Sequence, residues 1–494
     1  MAVPVIDLFA GPGGLSEGFE TFSNGRGKPF RCVLSIEKEE QAHRTLLLRT
    51  FFRQFARPPA DYYARLRGEI TTDELFQRHK KQYRAARRIA VALTLSKRNS
   101  KRVDELVRKA LAGHRDKWIL IGGPPCQAYS LVGRARMKAK KSRRFRRDKR
   151  HFLYQEYLRI LKTLRPPVFV MENVKGLLSS SVAGVEIFRR MEHDFAEAGY
   201  SVYSFVTAKL PDVLQPRDFV IKAERHDIPQ TRHRVILLGV RHDLDHNGAV
   251  LKNGRRHVSI KSVIGDLPPV RSRLSNPMSD SYEAWMRELR RQRTLVAKNG
   301  AIKGLRGKKA ARLAPLTTGA PYINGGASKP NSAWLKRHSD WLLDGRLGGI
   351  TLHEARSHMP SDLRRYLFGS AFARRRGRSP KLADFPPGLR PAHKNVEDGV
   401  NDGLFADRFR VQIEARPGST VVSHISKDGH YYIHYDPAQC RSLTVREAAR
   451  LQTFPDNYFF EGNRTAKYVQ VGNAVPPLLA RQLAKIVYDI LRQL

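Results

Sequence analysis

Cysteine is nearly missing from this chain, with three in 494 residues. Cys32, Cys126 and Cys440 are too few and too odd in number for a disulfide framework, so a disulfide-stapled secreted fold is excluded and a reducing, cytoplasmic setting is expected. Long apolar runs are absent too: nothing approaches the roughly 20 residues that span a bilayer, so no membrane partner is expected. Strand-like residues begin at Val3, so no cleavable leader is expected. His353 and His358 have no cysteine pair nearby, so no metal is expected. Acidic residues are also scarce, 46 against 90 lysines and arginines, a formal charge of +44. Ordinary solubility does not require such an excess, and it points to a nucleic-acid partner.

What is present is a series of short motifs at strand ends. Residues 118–121 have the continuous apolar character of a buried parallel strand, and Gly122-Gly123-Pro124-Pro125 forces a turn that carries Cys126 and Gln127. In open α/β sheets ligands bind at that edge. Backbone amides or nearby cations at such a turn favour a thiolate, which makes Cys126 a candidate nucleophile. A small buried thiol packed as a hydrophobe is the other reading of this stretch alone. Residues 3–9 predict a strand, Ala10-Gly11-Pro12-Gly13-Gly14 a turn that tolerates close approach, and residues 15–19 the start of a helix. Residues 33–36 predict a second strand ending at Glu37, where a carboxylate can accept from both hydroxyls of a ribose. Residues 168–171 predict a further strand that delivers Glu172-Asn173-Val174 to the same edge as Cys126. Residues 227–234 then precede the strand 235–240 and set Arg232 and Arg234 two apart on one side of extended chain, suited to a flat, acceptor-rich ligand.

In kind and in order these blocks resemble the DNA cytosine-5 methyltransferase family. Asp7 to Gly14 resembles its cofactor loop, Pro124-Pro125-Cys126-Gln127 its nucleophile motif, Glu172-Asn173-Val174 its acid motif and Gln230-Thr231-Arg232-His233-Arg234 its double-arginine motif. Residues 441–456 and Val471-Gly472-Asn473-Ala474-Val475-Pro476-Pro477 resemble its C-terminal pair. The resemblance implies an α/β fold: a doubly wound, Rossmann-like sheet of the S-adenosylmethionine-dependent methyltransferases, with a smaller, irregular target-recognition domain. It implies a DNA (cytosine-5-)-methyltransferase acting on a specific site in double-stranded DNA, of the prokaryotic restriction-modification type. A monomer without an obligate protein partner is expected, associated with the nucleoid when bound to DNA.

The chemistry suits the residues. Cytosine is a poor nucleophile at C5, and addition of the Cys126 thiolate at C6 turns C5 into an enamine-like carbon able to attack a sulfonium methyl. Glu172 would engage the N3 and amino edge, and Arg234 with Arg232 the O2 edge. A duplex target must be extruded first. For the cofactor, the resemblance implies Phe9, Gly11, Gly13 and Leu15 along the methionine and ribose side, Glu37 on the ribose and Leu153 as a further contact. Asn473, Ala474 and Val475 would close from the C-terminal end. Where the family has Gly-Asp-Ile at the end of its third strand this chain offers Gly68-Glu69-Ile70, with Glu69 and Ile70 toward the adenine. A tRNA cytosine-5 methyltransferase would share these motifs, and a non-catalytic DNA-binding relative is the other alternative. The long basic middle region argues for duplex DNA, and the presence of both Cys126 and Glu172 argues for turnover.

Residues 1–240 alternate strands and helices and form the expected catalytic and cofactor-binding domain. Within it, 71–113 predicts a helical insertion with a solvated basic face, and 126–150 a catalytic loop holding eleven Lys or Arg between Arg134 and Arg150 against one acid, Asp148. From 241 to 421 the alternation is lost, and the stretch is too long for a linker, so it predicts the target-recognition domain. Residues 422–494 are expected to complete the catalytic domain, with a C-terminal helix over 476–494 returning to the N-terminal sheet.

Overall fold

The computed structural model describes residues 2–114, 116–124, 151–179, 181–182, 185–246, 248–254, 256–275, 279–298, 316–325, 330–392, 396 and 406–494. They fall into two compact units, the first from 1–58, 76–256 and 473–494, the second from 59–75 and 257–472.

The first unit is built on one sheet of eight strands: β1 Val3–Leu8, β2 Phe30–Glu37, β3 Ala90–Ala92, β4 Ile119–Gly122, β5 Val168–Val174, β6 Tyr200–Ser204, β7 Val220–Lys222 and β8 His233–Arg241. Their order is β3-β2-β1-β4-β5-β8-β6, with β7 also paired to β8. The five strands from β3 to β5 are parallel, and β8 runs antiparallel to its neighbours. Parallel strands covered on both faces read as continuous apolar runs, and every residue of β1 is buried. Ile6, Leu8, Leu34, Ile36, Leu120, Phe169 and Met171 share a core with Val103 and Val107 of the helix Ser100–Ala110 and with Tyr157, Ile160 and Leu161 of the helix His151–Leu164.

Both ends of the chain meet in this unit. The helix Gly14–Thr21 packs against the helix Pro477–Leu491, and a Cβ on Gly18 would stand 2.5 Å from the Pro477 carbonyl oxygen. Glycine at positions 14 and 18, one helical turn apart, lets the two backbones approach. Leu478, Leu479, Leu483, Ile486, Val487, Ile490 and Leu491 are all buried, as the expected return of this helix to the sheet requires.

Two boundaries differ from the sequence expectation. The insertion 71–113 is not a separate hairpin: between the helices Lys80–Ile89 and Ser100–Ala110 it supplies β3, which pairs in parallel with β2. The C-terminal segment divides at 472, and residues 422–472 belong to the second unit. The reason is a set of buried guanidiniums. Arg441 grips Glu447 at 2.7 Å through two nitrogens. Arg446 donates to the Thr351 carbonyl at 3.0 Å, and Arg450 pairs with Asp456 and Asp266 at 2.6 and 2.7 Å. These partners lie in the 257–472 chain, so the segment is fastened there. Residues 59–75 are held to the same unit through Tyr63 and Asp344 (2.6 Å) and Arg65 and Glu461 (2.8 Å).

The second unit carries the antiparallel pair Gly319–Asn324 and Gly349–Glu354 and the helix Pro360–Arg376. Trp285, Leu363, Tyr366, Phe368, Phe385 and Phe409 form its core. Among the described residues no helix is long and apolar enough to cross a membrane.

Candidate active site

The sheet register lines up Ile36, Leu8, Gly122 and Met171 in one row across β2, β1, β4 and β5. The residues that follow them, Glu37, Phe9, Gly123 and Glu172, therefore stand in one row at the carboxyl edge, where β1 and β4 end while β5 runs on to Val174 beside β8. Glu37 and Glu172 are three strands apart, ~14 Å at the usual strand spacing.

At the β1 end, Phe9 and Gly11 have φ of 57°, and Gly13, which precedes the helix Gly14–Thr21, has φ of 95°. For phenylalanine this is an uncommon, strained conformation. The turn folds back on Glu37, whose Oε2 accepts from the Gly11 amide at 2.8 Å while Oε1 accepts from Lys38 and Glu39 at 2.8 and 2.7 Å. Oε2 keeps acceptor capacity for a hydroxyl, and a Cβ built on Gly11 would meet nothing within 4 Å. An open glycine turn beside a strand-end carboxylate fits a nucleoside cofactor. Leu15 is buried in the helix behind the turn. Ala474 and Val475 lie against Gly14, while Asn473 is exposed. Beneath the turn Asp7 is buried, its Oδ2 has no hydrogen-bond partner among the described residues, and burial raises its pKa to about 7.

At the other end of the row, Arg234 Nε lies 3.1 Å from Glu172 Oε1. Glu172 also hangs over the β4 turn, for a Cβ on Gly123 would stand 3.2 Å from its Oε2. Asn173 donates from Nδ2 to the Pro124 carbonyl at 3.3 Å. Its role in tying the two strand ends together was not singled out by sequence reasoning, and its place inside the acid motif was the available signal. Arg232 is buried on the approach to β8. Cys126, with the whole stretch 125–150, lies outside the described residues. The other two cysteines are unsuited to nucleophilic work. Both are buried, burial pushes both thiols up, Cys32 Sγ sits 3.0 Å from Ser35 Oγ and Cys440 donates to the Pro437 carbonyl at 3.1 Å.

Leu153 lies half-buried on the helix His151–Leu164. Glu69 and Ile70 do not stand at a strand end. Gly68 caps the helix Ala60–Arg67 in the left-handed conformation, and Glu69 is exposed, bound to Arg67 at 2.5 and 2.9 Å. Both residues belong to the second unit, whereas the third parallel strand is β3. The residue after β3, Leu93, donates its amide to the Glu37 carbonyl at 3.2 Å, so Leu93 and Thr94 hold the position on the rim that Glu69 and Ile70 were expected to fill. The apolar, partly β-branched run 89–95 was the sequence signal for that strand, hidden between two basic helices.

His353, expected to make polar contacts and not to bind metal, is held on both ring nitrogens, by Thr444 Oγ1 at 2.9 Å and the Pro268 carbonyl at 2.7 Å.

Comparison with known proteins bears on this arrangement. The sequence profile of the C-5 cytosine-specific DNA methylase family matches residues 94–489. Type II methyltransferase M.Bpa9945I of Bacillus paralicheniformis is 33% identical over an alignment covering 99% of each chain. The DNA (cytosine-5-)-methyltransferase M.ApeKI of Aeropyrum pernix is 27% identical over 98% of each. Among solved structures, a prophage-encoded E. coli protein assigned as a DNA modification methyltransferase shares the fold, with a TM-score of 0.50 at 18% identity and coverage of 99% of this chain and 100% of that one.

Proposed function

From the premise that the chain belongs to the C-5 cytosine-specific DNA methylase family, we propose how its own residues carry out methyl transfer to DNA. The enzyme is a DNA (cytosine-5-)-methyltransferase, and its methyl donor is S-adenosylmethionine. When bound, the cofactor supplies an electrophilic methyl group on a sulfonium. Phe9, Gly11, Gly13 and Leu15 form the turn and helix start that receive it, Glu37 accepts from its ribose, and Ala474 and Val475 stand against the same helix start, with Asn473 beside them. Leu93 and Thr94 take the place at the end of the third strand, and Leu153 contributes from the helix that follows the catalytic loop.

The observation that carries the assignment of roles is the Glu172 carboxylate, held 3.1 Å from Arg234 over the Gly123 turn that leads in sequence to Cys126. Cys126 adds through Sγ to C6 of the extruded cytosine. Glu172, in its protonated form, gives its proton to N3 as the thiolate adds, which neutralises the negative charge arriving in the ring and leaves the electron pair available at C5. Arg234, with Arg232 behind it, orients Glu172 and binds the O2 edge. Once C5 is methylated, solvent water takes its proton, the C5–H electron pair re-forms the C5–C6 double bond, Sγ leaves as the thiolate, and N3 returns its proton to Glu172.

The irregular second unit serves target recognition, since base edges carry the sequence information and phosphates do not. The protein acts as a monomer in a prokaryotic cytoplasm, on nucleoid DNA, as the modification partner of a restriction nuclease. The name of M.Bpa9945I, a Type II methyltransferase aligned over 99% of each chain, supports this reading. Duplex DNA carrying 5-fluorocytosine at the target cannot lose its C5 substituent, so the wild-type enzyme should form an adduct that survives denaturation, and Cys126→Ser should form none while still binding DNA. An active enzyme that leaves no adduct would refute the covalent route.

A further inference from the structure

The helix Lys80–Ile89 presents Lys80, Lys81, Arg84, Arg87 and Arg88 to solvent, spaced so that they share a face, and contains no acid. Its other side is occupied. It packs on the helix Glu40–Phe52 and on β2, where Ala86 is buried and Tyr83 stacks on Phe76 at 4.3 Å. None of the five cations is in an ion pair among the described residues, and Arg87 only lies over the Tyr83 ring, 5.7 Å away. Other arginines of the same unit are treated differently, the buried Arg49 and the half-buried Arg53 being closed onto Glu17 at 2.6 and 2.5 Å.

This face is unfavourable for the isolated protein twice over. Lys80, Arg84 and Arg88 repel one another at i, i+4 spacing, and Lys80 and Lys81 sit in the first turn, at the positive end of the helix dipole. A polyanion relieves both penalties. We propose that this helix is a second, sequence-independent contact to duplex DNA, engaging phosphates outside the target site. The location supports flanking DNA. The helix ends at β3, the sheet edge, four strands from β5 and Glu172, which is ~19 Å at the usual strand spacing. Its length of ~15 Å spans about four base pairs.

The proposal rests on duplex DNA being the substrate, and its test is separable from that reading. The quadruple variant Lys80→Gln, Arg84→Gln, Arg87→Gln, Arg88→Gln is compared with wild type on duplexes of about 12 and about 30 base pairs around one target, with affinity followed against salt. Each lost phosphate contact should flatten the slope of log affinity against log salt by ~0.9, so a fall of about 2 or more is expected on the long duplex and little change on the short one. Single-turnover methylation at saturating DNA should be unchanged, and the melting temperature unchanged or raised, because repulsion has been removed. The variant Arg84→Lys, Arg87→Lys, Arg88→Lys should keep the wild-type slope. An unaltered slope in the Gln variant, a lost slope in the Lys variant, or a loss confined to RNA binding would each overturn the proposal. Failure of the wild type to methylate DNA at all would instead count against the assigned function.

Discussion

At the scale of single residues, the proposed mechanism depends on one carboxyl group and its guanidinium partner. Glu172 is half-sheltered, faces Arg234 and has Gly123 beneath it, where any side chain would intrude. Glu172→Gln preserves the shape and removes the proton-donating and charge-pairing group. We expect single-turnover methyl transfer to fall by roughly two orders of magnitude or more, the usual scale for a positioned acid, with DNA affinity changing far less. A rate like that of wild type would show that Glu172 only props the turn and that the acid lies elsewhere.

At the scale of elements, the helix Val445–Leu451 is anchored in the second unit by its cap and by its buried arginines. Thr444 caps it, accepting from the Glu447 amide while Glu447 answers with its carboxylate on the Thr444 amide at 2.7 Å. Arg450, fully buried, donates to Asp456, Asp266 and the Val263 carbonyl. Removing one partner of such a network strands the buried charges of the others. Arg450→Met should therefore destabilise the second unit by about 3–5 kcal/mol. Urea unfolding of the variant should show the loss as a lower midpoint. An unchanged midpoint would mean that Asp266 and Asp456 find other partners.

For the whole molecule, acid should act first on the second unit. Burial lowers the pKa of His353 to about 4 and of His358 to about 3, against an ordinary 6.5. Both are neutral when folded and protonate when unfolded, so the unfolded chain binds more protons below pH 6.5 and stability falls as pH drops from there toward 3–4. At pH 5 each histidine should cost about 2 kcal/mol relative to pH 7. In the first unit Asp7 works in the opposite sense, since its raised pKa makes the folded state the stronger proton binder between about 4 and about 7. Trp285, Trp334 and Trp341 lie in the second unit and Trp118 in the first, so tryptophan fluorescence reports chiefly on the second. Its urea midpoint should fall between pH 7 and pH 5, and a flat or rising midpoint would contradict the assignment.

The amino-acid sequence by itself determined the chemistry and the strand ends that carry it. Continuous apolar runs, glycine turns and the acids behind them are local patterns, so β1, β2, β4, β5 and β8 and the positions of Glu37, Glu172 and Arg234 were legible along the chain. The doubly wound α/β class and the family followed from their order. Tertiary structure decided what local pattern does not encode. Ala90–Ala92 lies in an apolar run that two basic helices flank, and it becomes a strand because β2 offers it a parallel edge; the third parallel strand therefore ends at Leu93 and Thr94, not at Glu69 and Ile70. The motif at 441–456 belongs with the second unit because its buried guanidiniums find partners as far as 187 residues back along the chain, at the Val263 carbonyl. Gly14 and Gly18 read as ordinary helix residues until the helix Pro477–Leu491 arrives from the far end of the chain. Each of these depends on which distant segment reaches a buried polar group or an open edge first, and that is fixed by packing in three dimensions.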